Sequence, residues 1–571
     1  MRFRHLTRVA VALACLSSVA AFSVGTASVE ALIFPAPRDG SRMHAVLSPP
    51  AQLSAPIRAA GGLISGTNDG TVRIFKGIPY AAPPVGELRW RPPQPVGSWE
   101  GVKHADDFGA QCPQPPTGSG VGTTTPRRKN EDCLFLNIWT GTADADERRP
   151  VMVWIHGGGF RDGAASNRAY DGTALAAKGV VLVSFNYRLG PLGFLAHPEL
   201  RAESQHGSSG NYGLLDQIAA LRWVQRNIAA FGGDPDRVTI FGESAGASAV
   251  SALMASPLAA GLFHRAIGQS GGELGEMLHS RAASGVATGG QRRSTPDTGG
   301  PSPPSGEATG VAFARALGAD SLAELRALAA AAIIDRYAIE LGRQEPEGGS
   351  SAFRPIVDGW VLPAEIRTIF GAGRHNDVPL IVGFNSDEMT TLADVRQIPR
   401  SVEEYRAWVS SRFGALADEF YRLYRTPVED LPRTYLDAQR DLSFGVEMRR
   451  WARLARAGES SVYFYYFTHA PPIRNRAFYG AHHGAEIVYA FSNLGRVGSE
   501  FEAAELELAE TMSGYWTSFA AGANPNGAGR PLWPAYDREA EAYLEIGDVI
   551  RAGDRLLNDK LDFMERVLLN R

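Results

Sequence analysis

The chain has 571 residues, of which 44% are hydrophobic and 21% charged, and its formal net charge is −4. This composition and a mean hydropathy of −0.15 predict a soluble globular protein with enough apolar residues for a large core. The small negative charge gives no reason to expect nucleic-acid binding.

The N-terminal residues 1–27 have the pattern of a signal peptide. Three arginines among the first eight residues precede an apolar run at 9–22, which is too short to cross a bilayer. Small residues follow, so we expect cleavage near residues 20–31, no membrane span, and a secreted or periplasmic protein. Cys15 within the apolar run leaves a lipoprotein signal as the alternative.

Composition divides the rest of the chain. Residues 28–60 hold several prolines and no clear period, which predicts a linker or a loosely ordered arm. We expect one large domain over residues 61–571. Within it, the segment 285–310 is rich in glycine, proline, serine and threonine, and it cannot bury enough apolar surface to order itself. This segment therefore predicts a flexible surface insertion.

Strand-like and helical patterns alternate inside this domain. Leu214, Leu215, Ile218 and Leu221 lie close to a 3.6-residue stripe, which predicts a helix near 213–230. Such an alternation is typical of a mostly parallel sheet with helices on both faces, which binds ligands at the carboxyl ends of its strands. The predicted strands are 134–139, 151–155, 180–186, 237–241 and 379–384.

Two glycine-containing motifs follow predicted strands. The first is H-G-G-G at 156–159, whose glycines let backbone N–H groups approach a substrate closely, unless it is an ordinary flexible loop. The second is G-E-S-A-G at 242–246, which matches the nucleophile elbow and places Ser244 on a strained turn before a helix. Preorganised N–H donors stabilise the charge that develops on an ester carbonyl, so we expect an oxyanion hole here. Its expected donors are Gly158, Gly159 and Ala245.

A serine nucleophile needs a histidine base and a carboxylate that orients it, in the chain order serine, acid, histidine. Asp387 and Glu388 follow the predicted strand 379–384. The residue pattern does not show which of them orients the histidine, and both could instead be solvated loop charges. Three candidate bases lie downstream, namely His469, His482 and His483. The adjacent pair lies in a glycine-containing loop, where such groups usually sit, whereas His469 follows an aromatic run and fits a packed position.

Further motifs are shared with a known family. The chain resembles the type-B carboxylesterases, which include the cholinesterases and the bacterial para-nitrobenzyl esterases, over nearly all of residues 61–545. Besides the two glycine motifs, the resemblance rests on F-K-G-I-P-Y-A-A-P-P-V-G at 75–86, L-R-W at 88–90, E-D-C-L-F-L-N-I-W at 131–139, N-Y-R at 186–188, G-L-L-D-Q at 213–217, G-G-D-P at 232–235, Q-S-G at 269–271, Y-W at 515–516 and N-P-N at 524–526.

The resemblance implies an α/β-hydrolase fold with large loop and helix insertions, and neither a metal nor an organic cofactor. It implies Glu388 as the acid, from an N-x-D-E segment, and His483 as the base, from H-G-x-E. The family usually has glycine after the acid, where this chain has Met389.

The resemblance also assigns supporting residues. It implies that Glu243 lines the site and that Ser270 supports the acid from behind. Two cysteines remain after signal removal, which favours a disulfide in an exported chain, and the family places one between Cys112 and Cys133.

These features predict a secreted serine carboxylesterase that hydrolyses small-molecule esters through an acyl-enzyme intermediate on a Ser-His-Glu triad. An amidase or carbamate hydrolase with the same triad is the alternative, because the three substrates differ mainly in their leaving group. A more distant alternative is a non-catalytic binding protein of the same fold, which the intact triad residues disfavour. The sequence does not specify the oligomeric state.

Choline esters are expected to be poor substrates despite the resemblance to the cholinesterases. Those enzymes hold the quaternary ammonium against aromatic faces, a contact of about 2 kcal/mol or more when desolvated, and a key tryptophan comes from the loop that the disulfide closes. The loop here, 113–132, has no Trp, Tyr or Phe and carries Arg127, Arg128 and Lys129. We expect kcat/KM for a choline ester to be no higher than for its neutral dimethylbutyl isostere. A clear preference for choline would contradict this prediction.

Overall fold

The computed structural model of the protein describes residues 52–68, 70–116, 128–141, 145–281, 304–343, 353–425, 427, 430–496 and 501–569. The predicted signal peptide and residues 285–303 of the predicted insertion lie outside these ranges. None of the described helices is long and apolar enough to cross a membrane.

The described residues form fifteen strands: β1 Gln52–Leu53, β2 Ile57–Ala59, β3 Gly62–Ser65, β4 Thr67–Asn68, β5 Arg73–Pro79, β6 Val102–His104, β7 Phe135–Thr140, β8 Arg149–Ile155, β9 Val181–Phe185, β10 Gly233–Glu243, β11 Arg265–Gln269, β12 Leu380–Asn385, β13 Val462–Phe467, β14 Tyr543–Ile546 and β15 Arg551–Gly553. Twelve of them make one sheet in the order β1-β4-β5-β7-β9-β8-β10-β11-β12-β13-β14-β15, and β2, β3 and β6 make a second. The pairs from β9 through β8 and β10 to β14 are parallel, and those at the two ends of the large sheet are antiparallel.

Helices cover the sheet and extend beyond it. The α-helices are α1 Thr173–Ala177, α2 Gly190–Phe194, α3 Pro198–Glu203, α4 Tyr212–Asn227, α5 Ala245–Ala255, α6 Gly306–Ala316, α7 Leu322–Ala327, α8 Ala330–Arg343, α9 Ile366–Gly371, α10 Met389–Leu392, α11 Val402–Phe413, α12 Ala417–Leu423, α13 Leu431–Arg440, α14 Val446–Ala455, α15 Arg476–Tyr479, α16 Ile487–Ala490, α17 Ala503–Gly522 and α18 Asn558–Leu569. A π-helical turn at Asp441–Gly445 joins α13 to α14.

The core lies in two layers, one on each face of the large sheet. On β8, Val151, Val153 and Ile155 pack into one layer, whereas Met152 and Trp154 pack into the other. Successive side chains of a strand point to opposite faces, so a parallel strand covered on both faces needs an unbroken apolar run. A third, smaller cluster joins α11, α12 and α18.

The predicted alternation of strands and helices is confirmed. The five predicted strands correspond to β7, β8, β9, β10 and β12, and the helix predicted near 213–230 corresponds to α4. Two segments contain more structure than their composition indicated. Strands β1 and β2 lie within 28–60, because they pair with β4 and β3. Helix α6 begins inside 285–310, where Ser305 accepts the N–H of Ala308.

Candidate active site

Ser244 lies at the turn between β10 and α5, so the strand-turn-helix context predicted for it is confirmed. Its φ of 58° and ψ of −125° are strained for a residue other than glycine, and its N–H donates to Gln269 O over 2.9 Å. A Cβ on Gly246 would lie 2.1 Å from Ile155 O. Only glycine therefore lets this turn approach β8 so closely.

The glycines at 157–159 follow β8 and lie beside the serine. Gly158 and Gly159 have φ values of 107° and 64°, and a Cβ on Gly158 would lie 2.1 Å from Asp162 O. Gly159 and Ala245 line the same cavity as Ser244. Ala245 is the first residue of α5, and the first N–H groups of a helix have no partner within it.

His483 lies between two buried carboxylates. Its Nδ1 is 2.5 Å from Glu388 Oε2, and its Nε2 is 3.1 Å from Glu243 Oε1. The other oxygen of Glu388 accepts the Asn385 N–H over 2.7 Å. These contacts fix the imidazole ring and the carboxylate of Glu388 relative to each other.

The charges around His483 change its proton affinity. Burial disfavours the imidazolium, but the negative charges of Glu243 and Glu388 outweigh burial and raise the pKa of His483 to about 9. Burial raises the pKa of Glu243 to about 8, although the nearby imidazolium acts in the opposite direction. The two carboxylates thus stabilise the form that a base adopts after it has accepted a proton.

The residues next to Glu388 and His483 face other partners. Asp387 forms an ion pair with Arg433. His482 is buried, and burial lowers its pKa to about 4, so this imidazole stays neutral. Of the two adjacent carboxylates, the structure brings Glu388 to His483, a choice that the residue pattern left open.

His469 belongs to a separate cluster. Its Nδ1 lies 2.6 Å from Asp548 Oδ1 and its Nε2 lies 2.7 Å from Glu505 Oε2, which also accepts the hydroxyl of Tyr489. It is absent from the described lining of the cavity beside Ser244. The packed position expected for it is found, but its partners are carboxylates as well as aromatic rings.

Ser270 directly follows β11 and lines the cavity. Its backbone N–H donates to Gly383 O over 2.9 Å. No hydrogen bond joins its Oγ to Glu388 in the described part of the chain. The direct support of this carboxylate comes instead from the backbone of Asn385. Any support from Ser270 is therefore indirect, through the backbone of the neighbouring strand.

Sequence reasoning missed a buried amide-carboxylate network behind the site. Asn385 Nδ2 donates to Glu486 Oε2 over 2.6 Å and to His482 O over 2.9 Å. Gln269 Nε2 donates to Glu486 Oε1 over 3.0 Å, and burial raises the pKa of this carboxyl. The signal lay in the motifs, because the N of N-x-D-E is Asn385 and the E of H-G-x-E is Glu486.

A cavity of about 300 Å³ lies beside Ser244. Phe444, from the π-helical turn, forms part of its wall, and its ring centroid lies 5.2 Å from that of His483. The described lining residues are Gly159, Phe160, Arg161, Ser244, Ala245, Ser248, Ser270, Gly271, Gly272, Arg354, Ser443 and Phe444. A larger cavity of about 560 Å³ lies elsewhere, next to Trp90 and Trp360, and shares none of these residues.

Cys112 and Cys133 form a disulfide. Residues 117–127 of the loop that it closes lie outside the described ranges. Lys129, from the basic run, donates to the carbonyl oxygens of Gln114 and Pro115. Its cation therefore binds the backbone of its own loop.

Comparisons with known proteins give one consistent family. The sequence pattern of the carboxylesterase family matches residues 54–564. The chain is 38% identical over 512 residues to the fumonisin B1 esterase of Sphingopyxis macrogoltabida, with 87% of each chain covered. It is 36% identical over 527 residues to liver carboxylesterase 1 of Oryctolagus cuniculus, covering 86% of this chain and 88% of that one. A solved PNB esterase is similar with a TM-score of 0.75 at 32% identity, covering 89% of this chain and 99% of that one.

Proposed function

This chain belongs to the carboxylesterase family and is a carboxylic ester hydrolase with an α/β-hydrolase fold, and we propose that it is an exported serine esterase that acts through an acyl-enzyme. Ser244 is the nucleophile, His483 the base and Glu388 the acid. The proposal is carried by the contact of 2.5 Å between His483 Nδ1 and Glu388 Oε2, in a site whose serine lies on a nucleophile elbow.

In the proposed mechanism, Ser244 Oγ attacks the ester carbonyl carbon while His483 Nε2 accepts the hydroxyl proton. Glu388 stabilises the resulting imidazolium through Nδ1. The tetrahedral oxyanion accepts hydrogen bonds from backbone N–H groups. Loss of one such donor typically costs roughly 2.7–4 kcal/mol of transition-state stabilisation. The proposed donors are Gly158, Gly159 and Ala245.

Collapse of this intermediate breaks the ester C–O bond, and His483 gives its proton to the departing alcohol. Water then attacks the acyl-enzyme while His483 accepts one of its protons, and the second collapse releases the carboxylic acid and returns the proton to Ser244. Every atom of the two products thus comes from the ester and one water molecule.

The relation between His483 and Glu243 has a measurable consequence. Glu243→Gln is expected to move the rising limb of the pH profile of kcat/KM to lower pH, by roughly one unit. The base must be neutral to accept the serine proton, so activity rises with pH through its pKa. Glutamine keeps the size of the side chain but removes one of the three carboxylates, those of Glu243, Glu388 and Glu486, that raise that pKa.

The pH profile of kcat/KM is measured for the unmodified protein and for Glu243→Gln across the neutral and alkaline range. Glu505→Gln, in the separate His469 cluster, is the control. An unchanged rising limb in Glu243→Gln would contradict the contact between Glu243 and His483.

No hydrogen bond joins Ser244 to His483 among the described residues. In structures without a substrate, the hydrogen bond between a catalytic serine and its histidine is often long and shortens when the substrate binds.

The reaction class is tested with an ester, an anilide and a carbamate that share one acyl chain or one chromophore. The ester should be hydrolysed fastest, because resonance stabilises its carbonyl less than that of an anilide or a carbamate, so that the serine attacks it more readily. An anilide or carbamate turned over faster than the ester would replace this proposal by the alternative.

Export is proposed from the N-terminal pattern, with cleavage near residues 20–31. The disulfide between Cys112 and Cys133 supports it, because such bonds persist mainly in oxidising compartments. N-terminal sequencing of the protein recovered outside the cytoplasm tests the proposal, and an uncleaved start at residue 1 would contradict it.

A further inference from the structure

The charged residues that line the cavity beside Ser244 are basic. Among the described lining residues the charged ones are Arg161 and Arg354, and no carboxylate is present. The two arginine side chains are 34% and 30% exposed, whereas those of their ion-pair partners, Asp162 and Glu273, are 0% and 6% exposed. Both arginines thus line the cavity and are more exposed than the carboxylates that they pair with.

Arg161 is fixed by the turn that follows the glycine loop. Its backbone N–H and that of Asp162 both donate to Gly158 O over 3.0 Å. Its side-chain Nε donates to Asp162 Oδ2 over 3.2 Å. This cation is therefore held by the same loop that is proposed to bind the oxyanion.

Arg354 is fixed by a separate part of the chain. The preceding Phe353 packs against Phe313 and Tyr337, with ring centroids 4.9 and 5.6 Å apart. The guanidinium of Arg354 pairs with Glu273, which follows β11 and the cavity-lining glycines. Two distant segments thus bring one cation each to the cavity.

Neither ion pair uses all the donors of its guanidinium. Arg161 donates through Nε and Arg354 through one terminal nitrogen, and neither forms another hydrogen bond to a described side chain or backbone group. A guanidinium has five N–H donors in a planar fork that matches a carboxylate. Donors therefore remain on both groups for an anion inside a cavity of about 300 Å³.

We propose that this cavity selects esters that carry a free carboxylate in addition to the scissile ester, and that Arg161 and Arg354 bind that carboxylate. The inference rests on the proposed function, because it takes Ser244 as the reacting centre. The carboxylate can belong to the acid half, as in a half-ester of a dicarboxylic acid, or to the alcohol half. In both cases the ion pair forms while the ester carbonyl lies at the serine.

The test compares isosteric esters in two arms. In the acid arm, mono(4-nitrophenyl) adipate is compared with 4-nitrophenyl 6-methylheptanoate, which has an isopropyl group where adipate has its carboxylate. In the alcohol arm, 4-acetoxybutanoate is compared with 4-methylpentyl acetate. We expect kcat/KM for the anionic ester to exceed that for its neutral isostere by roughly 10- to 100-fold in one arm, which identifies the half that enters the cavity.

Variants connect the preference to the two arginines. Arg161→Gln and Arg354→Gln should each reduce the ratio of kcat/KM for the anionic ester to kcat/KM for its neutral isostere by roughly 10-fold or more. Arg396→Gln is the matched control, because Arg396 is also ion-paired with a nearby aspartate but lies outside the cavity. Loss of Arg354 alone leaves the buried Glu273 carboxylate unneutralised, so the double variant Glu273→Gln/Arg354→Gln provides a second, charge-balanced form.

A measurement on the unmodified protein needs no variant. Adipate should inhibit hydrolysis of the neutral ester competitively and less strongly as salt increases, whereas adipamide should not inhibit. Equal kcat/KM values within both arms, a preference that survives both arginine substitutions, or equal inhibition by adipate and adipamide would overturn the inference. If any of these three results is obtained while the neutral ester is turned over normally and Ser244 is labelled, the proposed esterase function stands and only the carboxylate preference is refuted. Absence of turnover for every ester would remove both.

Discussion

Ser244→Ala is expected to lower kcat for a small activated ester by roughly 10⁶-fold, the size of effect that loss of a triad serine has in other hydrolases. The substitution removes one oxygen at the turn between β10 and α5 and leaves the buried neighbours of that turn in place. The melting temperature should therefore change by a few degrees at most, because no apolar group is lost from the core.

A sulfonyl fluoride or organophosphate provides the second measurement. It should add one group to the unmodified protein, on the peptide that contains Ser244, and none to the variant. Ser251→Ala, on the same helix but outside the cavity lining, serves as the control and should keep both activity and labelling. Substantial turnover by Ser244→Ala, or a label on another serine, would refute the proposed mechanism.

His483→Ala is expected to lower kcat by about as much as loss of the serine, and Glu388→Ala by roughly 10⁴-fold. His483 is the proposed proton acceptor, and its Nδ1 contact of 2.5 Å with Glu388 orients the ring and stabilises its charged form. Loss of Glu388 should cost less than loss of His483, because the nucleophile, the imidazole and the proposed oxyanion donors all remain in the Glu388→Ala variant.

The neighbouring residues give matched controls for this pair. His482→Ala and Asp387→Asn should each change kcat less than about 10-fold, because neither side chain contacts the base. Their main effect should be on thermal stability, since Asp387 pairs with Arg433 and accepts the N–H of Ala481. A larger loss in either control than in its neighbour would move the triad by one residue.

The parts of the fold that sequence could predict are those with a local signal. The apolar run of β8 and the elbow at Ser244 depend on neighbours along the chain, so both appear where they were expected. The composition of residues 28–60 predicts a loosely ordered arm where β1 and β2 form. These two strands are stabilised by pairing with β4 and β3, which the composition of the segment does not show.

The candidate site depends more on distant contacts. Glu388 and His483 are separated by 95 residues, and no local pattern tells which carboxylate or which histidine points inward. The family motifs gave the pair that the structure brings together. Arg354 gave no signal at all, because its place in the cavity depends on a contact with Glu273, 81 residues away.

The π-helical turn at Asp441–Gly445 connects one wall of the cavity rigidly to the helix α14 that follows it. It presents Phe444 to His483, and α14 continues directly from it so that Trp451 packs on Gly268 of the sheet. Each added or deleted residue rotates a helix by about 100°. A change of length in this turn would therefore displace both surfaces together. We therefore expect exchanges of side chains in this turn to be tolerated better than insertions or deletions.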